Sequence, residues 1–331
     1  MTDAVQQRYA RFARLEAPGR SALYAEWAAG VAEDPEAQRI LTRIPETRRQ
    51  PPLVFAVTRL LGVGQDGYPA WRRFLLEHAD RIVAECGTRR LQTNDPLRLA
   101  ALLPVLSEID GPLALLEVGA SAGLCLYPDR YSYRFHDAGG GLRFALDPVD
   151  GPSEVVLESR VHGSLPALRM PDVVWRAGID LAPLDAADEG DRRWLRGLVW
   201  PGETGREERI DAALDIAAAD PPHLVAGDAA AHLQALADQA PDDATLVITT
   251  PGVLVHIPRA ERTALVDRIT RLAGARWVTI DPPGLLDIWE PAVDAADWPG
   301  FVVALDGRVR AAADPLGGWW EWRAGSAADA S

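Results

Sequence analysis

The sequence predicts an α/β fold in which helices cover both faces of a mostly parallel sheet, behind an N-terminal helical region. Two observations carry the prediction. Beyond residue 110, short apolar runs ending in an acid or a turn alternate with segments of helical periodicity, the pattern of repeated β-α units. And the stretch Leu113-Ala-Leu-Leu-Glu-Val-Gly-Ala-Ser-Ala-Gly-Leu124 reads as a buried strand running into a sharp glycine turn and then a helix. Glycine lets a backbone turn tightly and approach a ligand, and a helix start offers unpaired N–H groups.

Residues 1 to about 110 carry helical stripes only. Ser21 is placed to cap a helix with Leu23, Tyr24, Trp27, Ala28 and Val31 on its apolar side, and Asp34-Pro35 opens another. Tyr68-Pro69 starts a longer stripe through Trp71, Phe74, Leu75, His78, Ile82 and Cys86, closed by Gly87. Gln92-Thr-Asn-Asp-Pro96 is a polar turn before a leucine-rich helix that leads into the first strand.

After the glycine turn, residues 127–171 read as a short helix and an irregular, partly β insertion. The regular pattern then resumes. Strands are expected at Val173–Asp180, His223-Leu-Val-Ala-Gly-Asp228, Thr245-Leu-Val-Ile-Thr-Thr-Pro251 and Arg276-Trp-Val-Thr-Ile-Asp281, with helices between them. Phe301-Val-Val-Ala-Leu-Asp-Gly307 looks like the first arm of a hairpin, with Gly317-Gly-Trp-Trp-Glu-Trp322 as its return. Residues 324–331 read as a loose tail.

Composition removes several chemistries. The net charge of −14 argues against nucleic acid as a partner, whose affinity rests on clustered cations. All 34 cationic residues are Arg; without a Lys there is no P-loop, no kinase strand Lys and no pyridoxal Schiff base. Cys86 and Cys125 form no C-x-x-C and the six His show no ligand spacing, so no metal site is expected. No apolar run reaches spanning length and no signal-peptide pattern opens the chain, so the expected partner is a small molecule, with no membrane, in the cytoplasm.

The turn itself suits two chemistries. In a nucleoside site, Gly119, Ser121 and Gly123 let the ligand approach. Acids at successive strand tips (Glu117, Asp180 and Asp228, the last followed by Ala229) then accept from ribose hydroxyls and the adenine amino group. Alternatively, Gly119-Ala-Ser-Ala-Gly123 matches the nucleophile elbow G-x-S-x-G, with Asp228 and His256 as the remaining acid and base. That reading is disfavoured, because the upstream chain supplies neither strands nor an oxyanion loop, and strands still follow His256. A dinucleotide site fits poorly: the spacing is not G-x-G-x-x-G, and the second acid comes far too late.

Several segments together resemble a known family. Gln92-Thr-Asn94, Leu116-Glu-Val-Gly-Ala-Ser-Ala-Gly-Leu124, Arg176-Ala-Gly-Ile-Asp180 with Pro183-Leu-Asp185, Arg193-Trp-Leu195, Val199-Trp-Pro201 and Gly227-Asp-Ala229 are similar to the bacterial domain-of-unknown-function family 2332. Cys125 stands where that family often has Asn, and Thr249-Thr250 where a His is frequent.

The resemblance implies a Rossmann-like class I methyltransferase fold, with a seven-stranded sheet over residues 111–323 and residues 1–110 packed as a helical cap. It implies S-adenosylmethionine as cofactor, held by Glu117, Gly119, Ser121, Gly123, Asp180, Asp228 and Ala229. The expected activity is methyl transfer to a small, perhaps anionic, molecule. The alternatives are a cofactor-binding regulator without turnover and a serine hydrolase using Ser121. Thr249-Thr250-Pro251-Gly252 replaces the Asn/Asp-Pro-Pro-aromatic run of amine methylases, against a nucleic-acid base as acceptor. Asn94, Arg98, Trp194, Trp200, Arg206 and Thr250 are the candidates for the substrate side. No residue declares itself catalytic, and the chain does not show its oligomeric state.

Overall fold

A computed structural model describes residues 2–323; the expected tail at 324–331 lies outside the described residues. The helices are α1 (Thr2–Leu15), α2 (Ala22–Glu33), α3 (Pro35–Leu41), α4 (Pro51–Leu60), α5 (Tyr68–Glu77), α6 (Ala79–Thr88), α7 (Leu99–Leu106), α8 (Glu189–Gly197), α9 (Arg206–Ala219), α10 (Ala229–Ala237) and α11 (Arg259–Arg271). The strands are β1 (Pro112–Val118), β2 (Ser132–His136), β3 (Leu142–Leu146), β4 (Val156–His162), β5 (Asp172–Asp180), β6 (His223–Ala226), β7 (Thr245–Pro251), β8 (Arg276–Asp281), β9 (Phe301–Leu305), β10 (Arg308–Ala313) and β11 (Trp319–Trp322). No helix among the described residues is long and apolar enough to cross a membrane.

The chain divides into two compact units. The first, Met1–Thr93 with Asp188–Asp211, is helical; its contact boundary falls at Thr93, so α7 belongs to the second unit, and the division on the other side passes through α9. Ser21 caps α2 by accepting the Tyr24 amide, and Asp34 caps α3 by accepting those of Glu36 and Ala37, as the sequence implied. The stripe from Trp71 to Cys86 is not one helix: the backbone leaves helical geometry at His78 (φ −119°), and Gly87 lies inside α6. Apolar phase carries across that break, so periodicity alone could not reveal it. The core is a ring cluster: Phe55 packs against Tyr24, Trp27 and Trp71 with centroids 4.9, 5.4 and 5.5 Å away. Polar edges are satisfied, since the Trp27 indole donates to Asp66 O and that of Trp71 to Thr58 Oγ1.

The second unit, Asn94–Ala187 with Ala212–Ser331, holds one sheet of 11 strands in the order β3-β2-β4-β11-β10-β9-β8-β7-β1-β5-β6. The expected seven strands are thus too few. β6, β5, β1, β7 and β8 run parallel, and β9, β10 and β11 continue antiparallel. β1 is central and buried along almost its whole length because helices or loops cover both faces, which is why its sequence is a continuous apolar run.

Two other expectations need correction. The insertion after the glycine turn begins with a three-residue 3-10 turn, Leu124–Leu126, not a helix. It then forms β2, β3 and β4, which join the far end of the sheet through β11. The return arm of the hairpin is β10, not the Trp-rich segment. Asp306 and Gly307, both at positive φ (52° and 82°), make the tight turn, and the Trp-rich segment is a further strand, β11, beyond it.

Candidate functional site

In an open parallel sheet, ligands bind outside the carboxyl ends of the strands, where the strand order reverses. Here that point lies between β1 and β7: from β1 the parallel strands run outward to β5 and β6 on one side and to β7 and β8 on the other.

The glycine turn follows β1 there. Gly119, Ser121 and Gly123 all have positive φ (78°, 53° and 75°), so the backbone alternates in hand through the turn. The turn is stitched to the end of β5. The amides of Gly119 and Ala120 donate to Ile179 O at 2.8 and 3.2 Å. Asp180 uses Oδ2 to accept the Ser121 amide (2.9 Å) and Oδ1 to accept the Ala182 amide (2.8 Å). A Cβ on Gly119 would lie 2.5 Å from Val253 Cγ2, and one on Gly123 would lie 2.8 Å from Pro222. Both glycines are therefore needed for backbone conformation and for close packing. Asn94 accepts the Leu124 amide at 3.0 Å, so a buried side chain caps the 3-10 turn.

Beside this turn a cleft of about 310 Å³ is lined by Ala122, the segment from Pro183 to Ala186, Pro222 and Leu224 among others. It has the size of a small-ligand site, lined by apolar and backbone polar surface in near-equal measure, with one carboxylate, Asp185.

Buried acids mark the strand ends. Glu117 is buried and its Oε2 has no hydrogen-bond partner; Ser121 Oγ and Asp281 Oδ1 are in the same condition. Burial pushes the Glu117 carboxyl well above the ordinary carboxylate range, against the lowering charge of Arg98. Burial raises Asp281 to about 8, opposed by the hydrogen bond from Thr279 and by the charges of Arg98 and Arg262. Asp281 is thus mainly protonated at neutral pH. Arg98 ties its guanidinium to Pro251 O (2.9 Å) and Pro315 O (3.2 Å), placing a cation at the end of β7. His256 is exposed at its edge; partial burial and then Arg98 lower its pKa.

Asp281 is a residue that sequence reasoning passed over. It stands in Asp281-Pro282-Pro283, which reads as a turn, and its strand-end position was the available signal. Its folded pKa lies above the unfolded value of about 3.9, so the native state holds a proton that the unfolded chain loses. The stability it contributes is full below about pH 4 and declines as pH rises toward 8. Asp281→Asn should flatten that decline without abolishing it, since Glu117 contributes in the same direction. Denaturant midpoints measured across that pH range check this.

The other expected residues are distributed as follows. Asp228 is exposed and caps α10 by accepting the Ala230 amide at 2.8 Å; Ala229 begins that helix and is buried. Thr250 is fully buried and accepts from the Trp277 indole at 3.1 Å. Trp194, Trp200 and Arg206 belong to the helical unit. Trp194 is buried, Trp200 packs against Phe12 and Tyr24, and Arg206 pairs with Glu203 at 2.6 Å. Cys125 is buried, and burial pushes its thiol well up, as befits a filler. Among the described residues no group of three or more His, Cys, Asp or Glu could hold a metal ion.

The fold and site thus define a mixed α/β protein with a glycine turn at the reversal point of a large, mostly parallel sheet. A family described as an uncharacterized protein conserved in bacteria (DUF2332) matches residues 6–322, and the chain belongs to that family. No curated protein and no solved structure matches it.

Proposed function

We propose that the site at the ends of β1, β5 and β6 binds an adenosine-type cofactor, S-adenosylmethionine, and that the protein transfers its methyl group to a small anionic molecule. The observation that supports this most is the placement of the Gly119–Gly123 turn at the reversal point, with Glu117 near the end of β1, Asp180 ending β5 and Asp228 just past the end of β6.

The residues fit an unphosphorylated nucleoside better than a dinucleotide. A pyrophosphate needs the free amides of a helix start, but here a 3-10 turn follows the glycines and Asn94 takes one of its amides. Each oxygen of Asp180 accepts one amide and keeps a second lone pair for a hydroxyl, and Asp228 has the same spare capacity. Glu117 in its acid form can donate to a ligand oxygen without adding charge. Arg98 gives the end of β7 the positive potential that an anionic acceptor requires. The cofactor, when bound, supplies an electrophilic methyl group; the chain's part is to orient the acceptor and exclude water.

A second reading has one observation in its favour. Ser121 combines a left-handed backbone with a buried, partnerless hydroxyl, as a strained nucleophile would. The same missing hydrogen bond means that His256 does not activate it. Two assays separate the readings. Label from methyl-labelled cofactor should enter a small molecule of a cell extract, and a fluorophosphonate probe should leave Ser121 unmodified. Probe attached to Ser121 with no label transferred would reverse the choice, and tight cofactor binding with no transfer would indicate a regulator without turnover.

A further inference from the structure

Of the six His, two stand at the carboxyl ends of the parallel strands around the reversal point. His232 of α10 packs against Gly227, just past the outermost strand β6. His256 ends a three-residue 3-10 turn, Leu254–His256, that follows β7. It is therefore on the opposite side of β1 from Asp180 and Asp228, the acids assigned above to the cofactor. An acceptor must approach from the side those acids leave open.

The turn carrying His256 folds over the glycine turn. A Cβ on Gly119 would lie 2.5 Å from the Val253 methyl, and the His256 amide donates to Val253 O at 3.0 Å. Arg98 stands at the same strand end: it donates to Pro251 O, and its Nη2 is 3.4 Å from where a Cβ on Gly252 would be. The imidazole is exposed and can meet a ligand, whereas Glu117 and Asp281 are closed in.

The surrounding groups set its charge. Arg98 comes from the turn before α7. Arg262 of α11 donates to Leu254 O (3.3 Å) and Ile257 O (2.9 Å), and Arg259 at the start of that helix pairs with Asp287 at 3.4 Å. Asp281 of β8 accepts the Leu254 amide and is mainly in its uncharged acid form. Partial burial and then Arg98 hold His256 below the ordinary imidazole range, so at neutral pH it is mostly an uncharged proton acceptor.

Resting on the methyl transfer proposed above, we infer that His256 is its general base, taking a proton from a hydroxyl or ammonium group of the anionic acceptor. The proton passes to the imidazole before or as the freed lone pair bonds to the methyl carbon, and the carbon–sulfur bond breaks with its electron pair left on sulfur. A carboxylate or a thioether has no proton to lose there. A base at this point therefore narrows the acceptor to an alcohol, a phenol or an amine.

His256→Gln changes an exposed residue and should leave binding of S-adenosylhomocysteine, read as heat, as in the parent. The imidazole resonance missing from its spectrum identifies His256, which should titrate below the ordinary value of about 6.5 in the parent. Transfer from methyl-labelled S-adenosylmethionine into the small molecules of a cell extract should rise with pH and level off above that same midpoint. In His256→Gln it should be about 100-fold slower and lack that rise. Label in the product should survive mild alkali, which cleaves methyl esters. A variant as fast as the parent, a titration at or above the ordinary value, or label released by alkali overturns the assignment alone. No heat from the parent overturns the cofactor reading and this assignment with it, and heat without any transfer overturns the assignment in favour of a regulator.

Discussion

Replacing Gly119 with Ala should destabilise the second unit by about 3 kcal/mol, combining a left-handed backbone cost of about 1 kcal/mol with overpacking of about 2 kcal/mol. The two causes are separable. The first follows from φ of 78°, which no change of neighbour relieves. The second follows from the Val253 methyl only 2.5 Å from where the new carbon would stand. Adding Val253→Ala should therefore recover part of the loss and leave the backbone share. Urea denaturation of the two single variants and the double variant measures this coupling. Additive effects would mean that Val253 does not close over the turn as described.

Trp27→Ala should cost about 3–5 kcal/mol in the helical unit, the range for deleting a large buried aromatic side chain. Trp27 is fully buried, packs on Phe55 at 5.4 Å and on Trp71 at 5.9 Å, and donates its indole N–H to Asp66 O. Its removal opens a cavity among rigid rings that cannot collapse into it, and leaves a carbonyl without its donor. Trp27→Phe should recover much of the packing but not the hydrogen bond. The midpoint of the far-ultraviolet transition, dominated by helices, reports both. A loss below 1 kcal/mol would mean the cluster repacks freely.

Much of the second unit was legible because its information is local. The apolar run of β1 and its glycines mark a buried strand and a turn, and Asp180 closes the next strand where alternation placed it, whereas the strand expected to reach Asp228 stops at Ala226 and Asp228 caps the helix that follows. What was not legible depends on distant partners. The strands β2 and β4 pair in parallel with each other, and β4 pairs with β11 from the far end of the chain, so no local turn announces them. β4 alternates between exposed and buried positions along its whole length, but Val156 is on its exposed side and Ser159 on its buried side, so the pattern is blurred in the sequence. The Asp306-Gly307 dipeptide was a direct hairpin signal for β10.

At the site, the glycines, Glu117 and Asp180 were readable from type and position, but their partners were not. That Asp180 holds the turn through the Ser121 amide, that Val253 closes over Gly119, and that Asn94 substitutes for a helix start are consequences of packing. Trp194 and Trp200 looked like substrate residues because aromatics near a helix break suit either role. Both are buried in the helical unit, Trp200 against Phe12 and Tyr24 and Trp194 under the Arg89 guanidinium, contacts with distant residues that the sequence does not show.

Titration calorimetry with S-adenosylhomocysteine, the product thioether, tests the adenosine site most directly. The account predicts saturable one-to-one heat for the parent chain and at least tenfold weaker binding for Asp228→Ala, a loss of roughly 1.4 kcal/mol or more. No heat from a folded parent chain, or equal affinity in the variant, would contradict it.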